Sequence, residues 1–286
     1  MKNYLSLLAS AALLLTSCYH AHDELSMVDE TRVSFDLALE GLSQESMTRA
    51  ERKMPVLTPP TKLLIIDDFG GDVSSMVKTS LDAITVPLKH GKHDLYFVAT
   101  AANGAVFDKP TMTIAWPKDG KLKDVWTLHY QITVDESTTF EQLVLQLAMA
   151  DVRVSTYDMI PTGVTTARIE APDFCTGLDL KTMQGFVTEG TANPLSITYN
   201  VASYAGSNTF AANVYTFVPA SGTVGDLTVG FYADAECTTE RKSRVLSDIK
   251  VTCGYVSFYE GYFFGDGVTI PIRYTDAWLG ANEYAY

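Results

Sequence analysis

Residues 32–41 read RVSFDLALEG. Val33, Phe35, Leu37 and Leu39 are separated by Ser34, Asp36 and the small Ala38, and Gly41 closes the run. A side-chain period of two is that of a strand with one buried face. Outward from it the same signature recurs. KLLIIDDFGG (62–71) is a short apolar run ending in two glycines, consistent with a buried strand. AITVPLKHGKHDLYFVATAANG (83–104) reads as two strands about the turn His90-Gly91, and Ile114 to Trp116 and VWTLHYQITVDE (125–136) continue the pattern. Farther on, ARIEA, LSITYNVASY, NVYTFVPAS, LTVGFYADA, VLSDIKVTCGYVSFYEGYFF and VTIPIRY follow at regular spacing between Gly, Asp and Pro turns. Many short strands so spaced predict antiparallel sandwiches.

Two stretches are less plain. A short helix is expected around Val73 to Leu81. In FEQLVLQLAMADVRVSTYDMIP (140–161), Phe140, Leu143, Leu147 and Ala150 suit a helix, whereas VRVSTYD alternates as a strand. A domain junction is expected near 145–155. The organisation predicted is all-β: residues 1–17 a signal peptide, 18–30 a tether, 31–150 an N-terminal β-sandwich and 151–286 a C-terminal one.

The start of the chain carries the sharpest local motif. After Lys2, an apolar stretch from Leu5 to Leu15 is about half the ~20 residues that span a bilayer. It reads as the core of a secretory signal. Leu15-Thr16-Ser17-Cys18 resembles a bacterial lipobox, in which the cysteine thiol takes a diacylglycerol and becomes the first residue of the mature protein. A further amide-linked chain gives stable anchoring, which one acyl chain alone does not. Cys18 is therefore the expected lipidation site. No other segment approaches a membrane-spanning length, so the acyl group is the expected attachment. The polar stretch after Cys18 lacks a hydrophobic period and reads as a flexible tether. Its His20 and His22 lack the third ligand that a metal site needs.

The chain of 286 residues is 47% hydrophobic and carries a net charge of −13, with no basic run. Such a chain is a poor partner for nucleic acid or anionic headgroups. After lipidation three cysteines remain, Cys175, Cys237 and Cys253, so at most one internal disulfide can form. Cys237 and Cys253 flank an expected hairpin and form the candidate pair, with three unpaired thiols as the alternative.

The constellations of catalysis are missing. There is no GxSxG, HExxH, Walker-type loop or GxGxxG after a strand. Asp67 and Asp68 are adjacent in a strand and point to opposite faces, which makes them the polar end of that strand rather than a catalytic pair. His90 and His93 are expected in solvent beside their turn, and His129 among aromatics. No catalytic residue, metal or cofactor is assigned, and no enzymatic activity is expected. Trp116, Trp126, Tyr255 and Tyr259 offer a sugar-stacking alternative, although scattered tryptophans, Trp278 included, are more often core.

The ordered set of lipobox, VSFDLALEG, a polar loop with Thr48-Arg49-Ala50 and then Lys62-Leu63-Leu64-Ile65-Ile66 before a glycine turn resembles the fimbrillins of Bacteroidales. That family comprises stalk, tip and anchor subunits of surface pili. GKHDLYFVATAANGA and QLAMADVRVSTYDMIP add to the likeness, which covers roughly residues 1–160. The acidic Asp23, Glu24, Asp29 and Glu30 resemble surface-export tethers of Bacteroidetes lipoproteins. The resemblance implies two transthyretin-like sandwiches and a surface-exposed location on the outer membrane or in a fimbrium. Expected partners are other fimbrial subunits, the outer membrane through the lipid, and a host or bacterial surface receptor. It also implies a mechanism. Val33, Phe35, Leu37 and Leu39 fill a groove in the precursor, an Arg-specific protease cuts between Arg49 and Ala50, and a strand from the next subunit takes the vacated place. The donor it suggests is VTIPIRYTDAWLG, with Val268, Ile270, Ile272 and Tyr274 alternating. Arg52 and Lys53 lie close enough to be cut instead. Anchor members keep lipid and strand.

Overall fold

The computed structural model describes residues 29–40, 57–82, 84–188 and 195–265, together with the backbone of two short strands at 272–275 and 283–284. Among these residues the chain is β throughout, apart from one 3-10 turn at Ala202–Tyr204. The first half holds β1 (Glu30–Leu39), β2 (Lys62–Phe69), β3 (Asp72–Lys78), β4 (Ile84–Lys89), β5 (Gly91–Thr100), β6 (Val106–Asp108), β7 (Thr113–Ala115), β8 (Val125–Val134) and β9 (Phe140–Leu147). The second holds β10 (Met149–Thr156), β11 (Thr166–Ala171), β12 (Gly177–Asp179), β13 (Gln184–Phe186), β14 (Leu195–Asn200), β15 (Ala211–Phe217) and β16 (Thr223–Val224). It continues with β17 (Leu227–Tyr232), β18 (Glu240–Leu246), β19 (Ile249–Lys250), β20 (Val256–Gly261), β21 (Ile272–Thr275) and β22 (Glu283–Tyr284).

Each half is a sandwich, and the two repeat one topology. In the first, β3-β2-β5-β8 packs on β9-β1-β4, the layers joined at a corner where Trp126 and Thr127 of β8 pair with Leu147 and Gln146 of β9. In the second, β14-β11-β17-β18 packs on β15-β10-β20-β21-β22. The opening strand of each half, β1 or β10, lies antiparallel to one neighbour (β4 or β15) and parallel to the other (β9 or β20).

A third, small sheet ties the halves together. The hairpin β6-β7 pairs through β7 with β12, which pairs with β13. This explains the unbroken apolar run LYFVA in β5. Leu95, Phe97 and Ala99 enter the core of the first sandwich, while Tyr96 and Val98 enter a second core that includes Met112, Ile114 and Trp116 and extends through the C-terminal sandwich. A strand covered on both faces loses its polar alternation.

The helix expected around Val73 to Leu81 is instead β3. Gly70 and Gly71, at φ 61° and 95°, form the tight turn that folds Asp72–Lys78 back along β2. Positive φ at both turn positions matches the twist of a two-residue hairpin. The ambiguous stretch after Phe140 is two strands. Leu143, Leu145 and Leu147 of β9 are buried, whereas Phe140 and Val144 are exposed. The chain crosses between sandwiches at Ala148, whose amide donates to Val125 O at 2.8 Å. A boundary between 150 and 151 therefore falls inside β10.

Cys237 and Cys253 are not bonded, and Cys175, Cys237 and Cys253 are all free thiols. Cys237 sits in the turn between β17 and β18 of one layer, and Cys253 in the approach to β20 of the other, with Sγ 3.5 Å from Ala148 O. The two flank no common hairpin, which removes the reason for pairing them. Burial pushes all three thiols upward, Cys175 to about 11.

Candidate functional site

The alternating stretch that opens the fold occupies a slot, not an edge. β1 lies between β4 and β9 and hydrogen-bonds on both sides. Val33 faces Val86 and Phe35 faces Ile84 across the antiparallel ladder. Leu37 and Leu39 align with Leu143 and Leu145 across the parallel one. Val33 and Phe35 are buried, while Leu37 and Leu39 are half-buried. The Phe35 ring meets Phe97 of the opposite layer edge-on, with centroids 5.3 Å apart. Fully burying two such side chains contributes roughly 1.5–3 kcal/mol each.

Both ends of β1 are pinned. At the start, His90 N donates to Asp29 O at 2.8 Å, and His90 Nε2 lies 2.9 Å from Thr31 Oγ1, which donates to Asp135 O at 3.0 Å. In that turn, hydrogen bonds from Ser137 and Thr138 hold the Asp135 carboxyl below its ordinary value. At the far end, Trp126 Nε1 donates to Glu40 O at 3.0 Å. Leu57 is buried, and Thr58 N donates to Asp124 Oδ2 at 2.8 Å. Burial raises the Asp124 carboxyl, and the Thr58 bond opposes that. The two ends of the segment 41–56 are thus anchored at Trp126 and at Asp124, two residues apart in sequence.

Arg49 and Ala50 lie outside the described residues, as do Cys18, His20, His22, Val268, Ile270 and Trp278. The donor segment is represented by β21. Its backbone pairs antiparallel with β20 of the same chain, Ile272 opposite Tyr259 and Tyr274 opposite Ser257, and β22 pairs with its outer side. In this state residues 272–275 serve as a strand of their own C-terminal sandwich.

The expectations for solvent-exposed histidines fail at one position. His93 is buried: Nδ1 lies 2.7 Å from Asp67 Oδ1 and Nε2 2.7 Å from Lys89 O, with the ring stacked on Phe69 at 4.6 Å. Asp67 is thereby a structural partner for the β4-β5 turn, while Asp68 Oδ1 accepts from Gly71 N at 2.8 Å in the next turn along. His129 stacks on Tyr96 at 4.5 Å and bonds Asp94 at 2.8 Å. Hydrogen bonds from Gln131 and His129 lower the Asp94 carboxyl.

The aromatic set proposed for sugar stacking is not assembled. Trp116 and Trp126 are 3% and 0% exposed, and Tyr259 is 1% exposed. Trp116 packs on Phe217 at 5.2 Å, inside the core. Among the described residues no group of three or more His, Cys, Asp or Glu could hold a metal ion.

One buried carboxylate had no sequence signal. Asp151 of β10 is fully buried, accepts a hydrogen bond from Asn213 Nδ2 through Oδ2, and has no partner at Oδ1. Burial pushes its carboxyl up to about 7, against the pull of Asn213 and Arg153. The hydroxyls of Tyr199 and Tyr215 are raised too, Tyr199 to about 12, by burial and then by the Asp151 charge.

No protein-family model matches the sequence, and no curated protein matches it. Solved structures do match the fold. A candidate polysaccharide-binding protein from Bacteroides thetaiotaomicron superposes with a TM-score of 0.52 at 10% identity, over 84% of this chain and 95% of that one. A candidate adhesin from Bacteroides ovatus superposes at 0.50 and 10% identity, over 79% of this chain and 85% of that one. The fimbrial anchor protein of Porphyromonas gingivalis gives 0.49 at 12% identity, over 81% and 91%. At such identities the likeness is one of fold, the paired β-sandwich described above.

Proposed function

We propose that this chain is a non-catalytic structural component of a bacterial surface fimbria, exported as a lipoprotein acylated at Cys18 and contributing to adhesion. In this reading the loop after β1 is cut between Arg49 and Ala50, and β1 leaves with the lipid. A strand from another subunit then enters between β4 and β9.

The observation that carries the reading is the interior place of β1. A strand paired on both sides, with Val33 and Phe35 in the core, leaves on departure a slot with unpaired main-chain groups along both walls and two apolar pockets. Such a slot selects an alternating apolar strand. The candidate donor role of Val268, Ile270, Ile272 and Tyr274 requires β21 to leave β20 first, so assembly exchanges one set of ladder bonds for another. A subunit that keeps β1 and its acyl chain would instead act as the fimbrium anchor.

The test is intact mass with N-terminal sequencing of the protein recovered from the cell surface. A chain beginning at Ala50 supports strand exchange in a polymerising subunit. A chain still acylated at Cys18 overturns exchange and supports the anchor. A soluble, strictly monomeric product after cleavage overturns the fimbrial reading.

A further inference from the structure

The reverse face of the first sandwich is only partly covered. Leu63 and Ile65 of β2 enter the first core, whereas Lys62 and Leu64 stand on the opposite face. The ladders set Thr100 of β5 across from Lys62, and place Leu64 between Val98 of β5 and Val77 of β3. Phe107, Ile114 and Trp116, from the β6-β7 hairpin and its exit, line the same cavity, of about 490 Å³. It reaches out to β3, the edge of the sheet, where Ser75 and Val77 are exposed. That volume falls within the ~300–1,000 Å³ usual for small-molecule sites.

The lining is apolar along its length and polar at its ends. Lys62 and Thr100 mark one end, and Ser75, across from Ile66, marks the other. Residues directly opposite in an antiparallel pair have Cβ atoms ~4.5–5.5 Å apart, so Lys62 and Thr100 reach one small group together. Lys62 Nζ donates to Asn103 Oδ1 at 2.7 Å, which uses one of the three N–H donors of the ammonium. Thr100 Oγ1 accepts from Ala102 N at 2.9 Å, and its own O–H still donates. Trp116 Nε1 is buried with no hydrogen-bond partner. Among the described residues no carboxylate lines the cavity, and Lys62 is its single charged side chain. The end at Lys62 and Thr100 therefore calls for an acceptor, and the length beyond it for apolar surface.

We propose that this cavity binds a medium-chain aliphatic acid, its carboxylate between Lys62 and Thr100 and its chain along Leu64, Val98, Phe107 and Trp116. An ionised carboxylate only accepts hydrogen bonds, and bonds to it from a charged donor are the strong ones. From the level of Lys62 to that of Ile66 and Ser75 is ~13 Å at ~3.3 Å per residue, room for an extended chain of about eight to ten carbons. A polyol would desolvate its hydroxyls against the apolar wall at a cost. The chain's net charge of −13 opposes an anion at long range, but charges beyond ~8 Å are largely screened at physiological ionic strength, and the near charge is Lys62. The inference goes beyond the proposed function and does not rest on it, because the cavity is on the face of β2 and β5 turned away from β1.

Calorimetric titration of the full chain with hexanoate, octanoate and decanoate tests it, with octanol and octylamine as the neutral and cationic comparisons. We expect one saturable site, with affinity rising about fourfold for each added methylene, the burial of one CH₂ expressed as an equilibrium ratio. Octanoate should bind more tightly than octanol or octylamine. Lys62 is exposed, so its variants should fold. Lys62→Gln should weaken octanoate about three- to fivefold, the span of an exposed ion pair, and leave octanol unchanged. Lys62→Glu should invert the order of octanoate and octylamine. The absence of saturable octanoate and decanoate binding overturns the proposal, as does an order of ligands that Lys62→Glu leaves unchanged. None of these results bears on where the N-terminus of the mature chain lies.

Discussion

The Phe35 ring of β1 stands edge-on to Phe97 of β5, 5.3 Å between centroids, and bridges the two layers of the first sandwich. Both rings are essentially unexposed. The contact makes the opening strand part of the core that the rest of the half is built around.

Phe35→Ala should accordingly destabilise the N-terminal sandwich by about 3–5 kcal/mol, the range for a buried phenylalanine truncated to a cavity. Chemical denaturation followed by tyrosine and tryptophan fluorescence checks it. A loss below about 1 kcal/mol would mean that β1 contributes little and that its departure costs almost nothing.

Asp151 predicts a slope of stability with pH. Its carboxyl titrates near 3.8 in the unfolded chain and near 7 in the folded one. Between those values the unfolded state has given up a proton that the folded state keeps, so stability falls as pH rises from about 4 to about 7 and is level above. Asp151→Asn should flatten that slope and stabilise the protein at pH 8 by up to a few kcal/mol. Asp124, also raised by burial, leaves a residual slope of the same sign. Urea titrations at several pH values decide the matter, and an unchanged slope in the variant would refute the assignment.

Gly91 opens β5 at φ 136°, and a Cβ there would come 2.8 Å from the Phe69 ring. That ring is held between His93, 4.6 Å away, and Lys89, whose Nζ lies 5.7 Å from its centroid. Gly91→Ala should cost roughly 1–3 kcal/mol through backbone strain and the displaced ring. The thermal midpoint measures it. An unchanged midpoint would show that the β4-β5 turn tolerates an ordinary residue.

The thiols make a chemical prediction. With Cys175, Cys237 and Cys253 free and their pKa values raised, unreduced protein should react slowly with iodoacetamide at pH 7. In denaturant, still without reductant, these three thiols should all be alkylated. Intact mass counts the adducts, and the loss of two of these three would reveal a Cys237–Cys253 bond.

Some of this was legible from local pattern. Alternation at Val33, Phe35, Leu37 and Leu39 already implies a strand, and the turn His90-Gly91 already separates β4 from β5. Gly70-Gly71 was the missed turn signal, since two adjacent glycines before Asp72 permit a hairpin where a helix was expected. His93 was misplaced because its burial depends on Asp67, Lys89 O and Phe69, three groups from three points in the chain.

By itself, then, the sequence determined the all-β class, the period of each strand and the absence of familiar catalytic motifs, because these depend on side-chain order along one segment. Only the tertiary structure decided that β1 lies between β4 and β9, that Trp116 and Trp126 are core, that Cys237 and Cys253 sit in separate layers, and that Lys62, Thr100 and Phe107 line one cavity. A strand's period fixes which of its side chains share a face. Its neighbours are chosen by pairing across long loops, and that choice leaves no mark on the period.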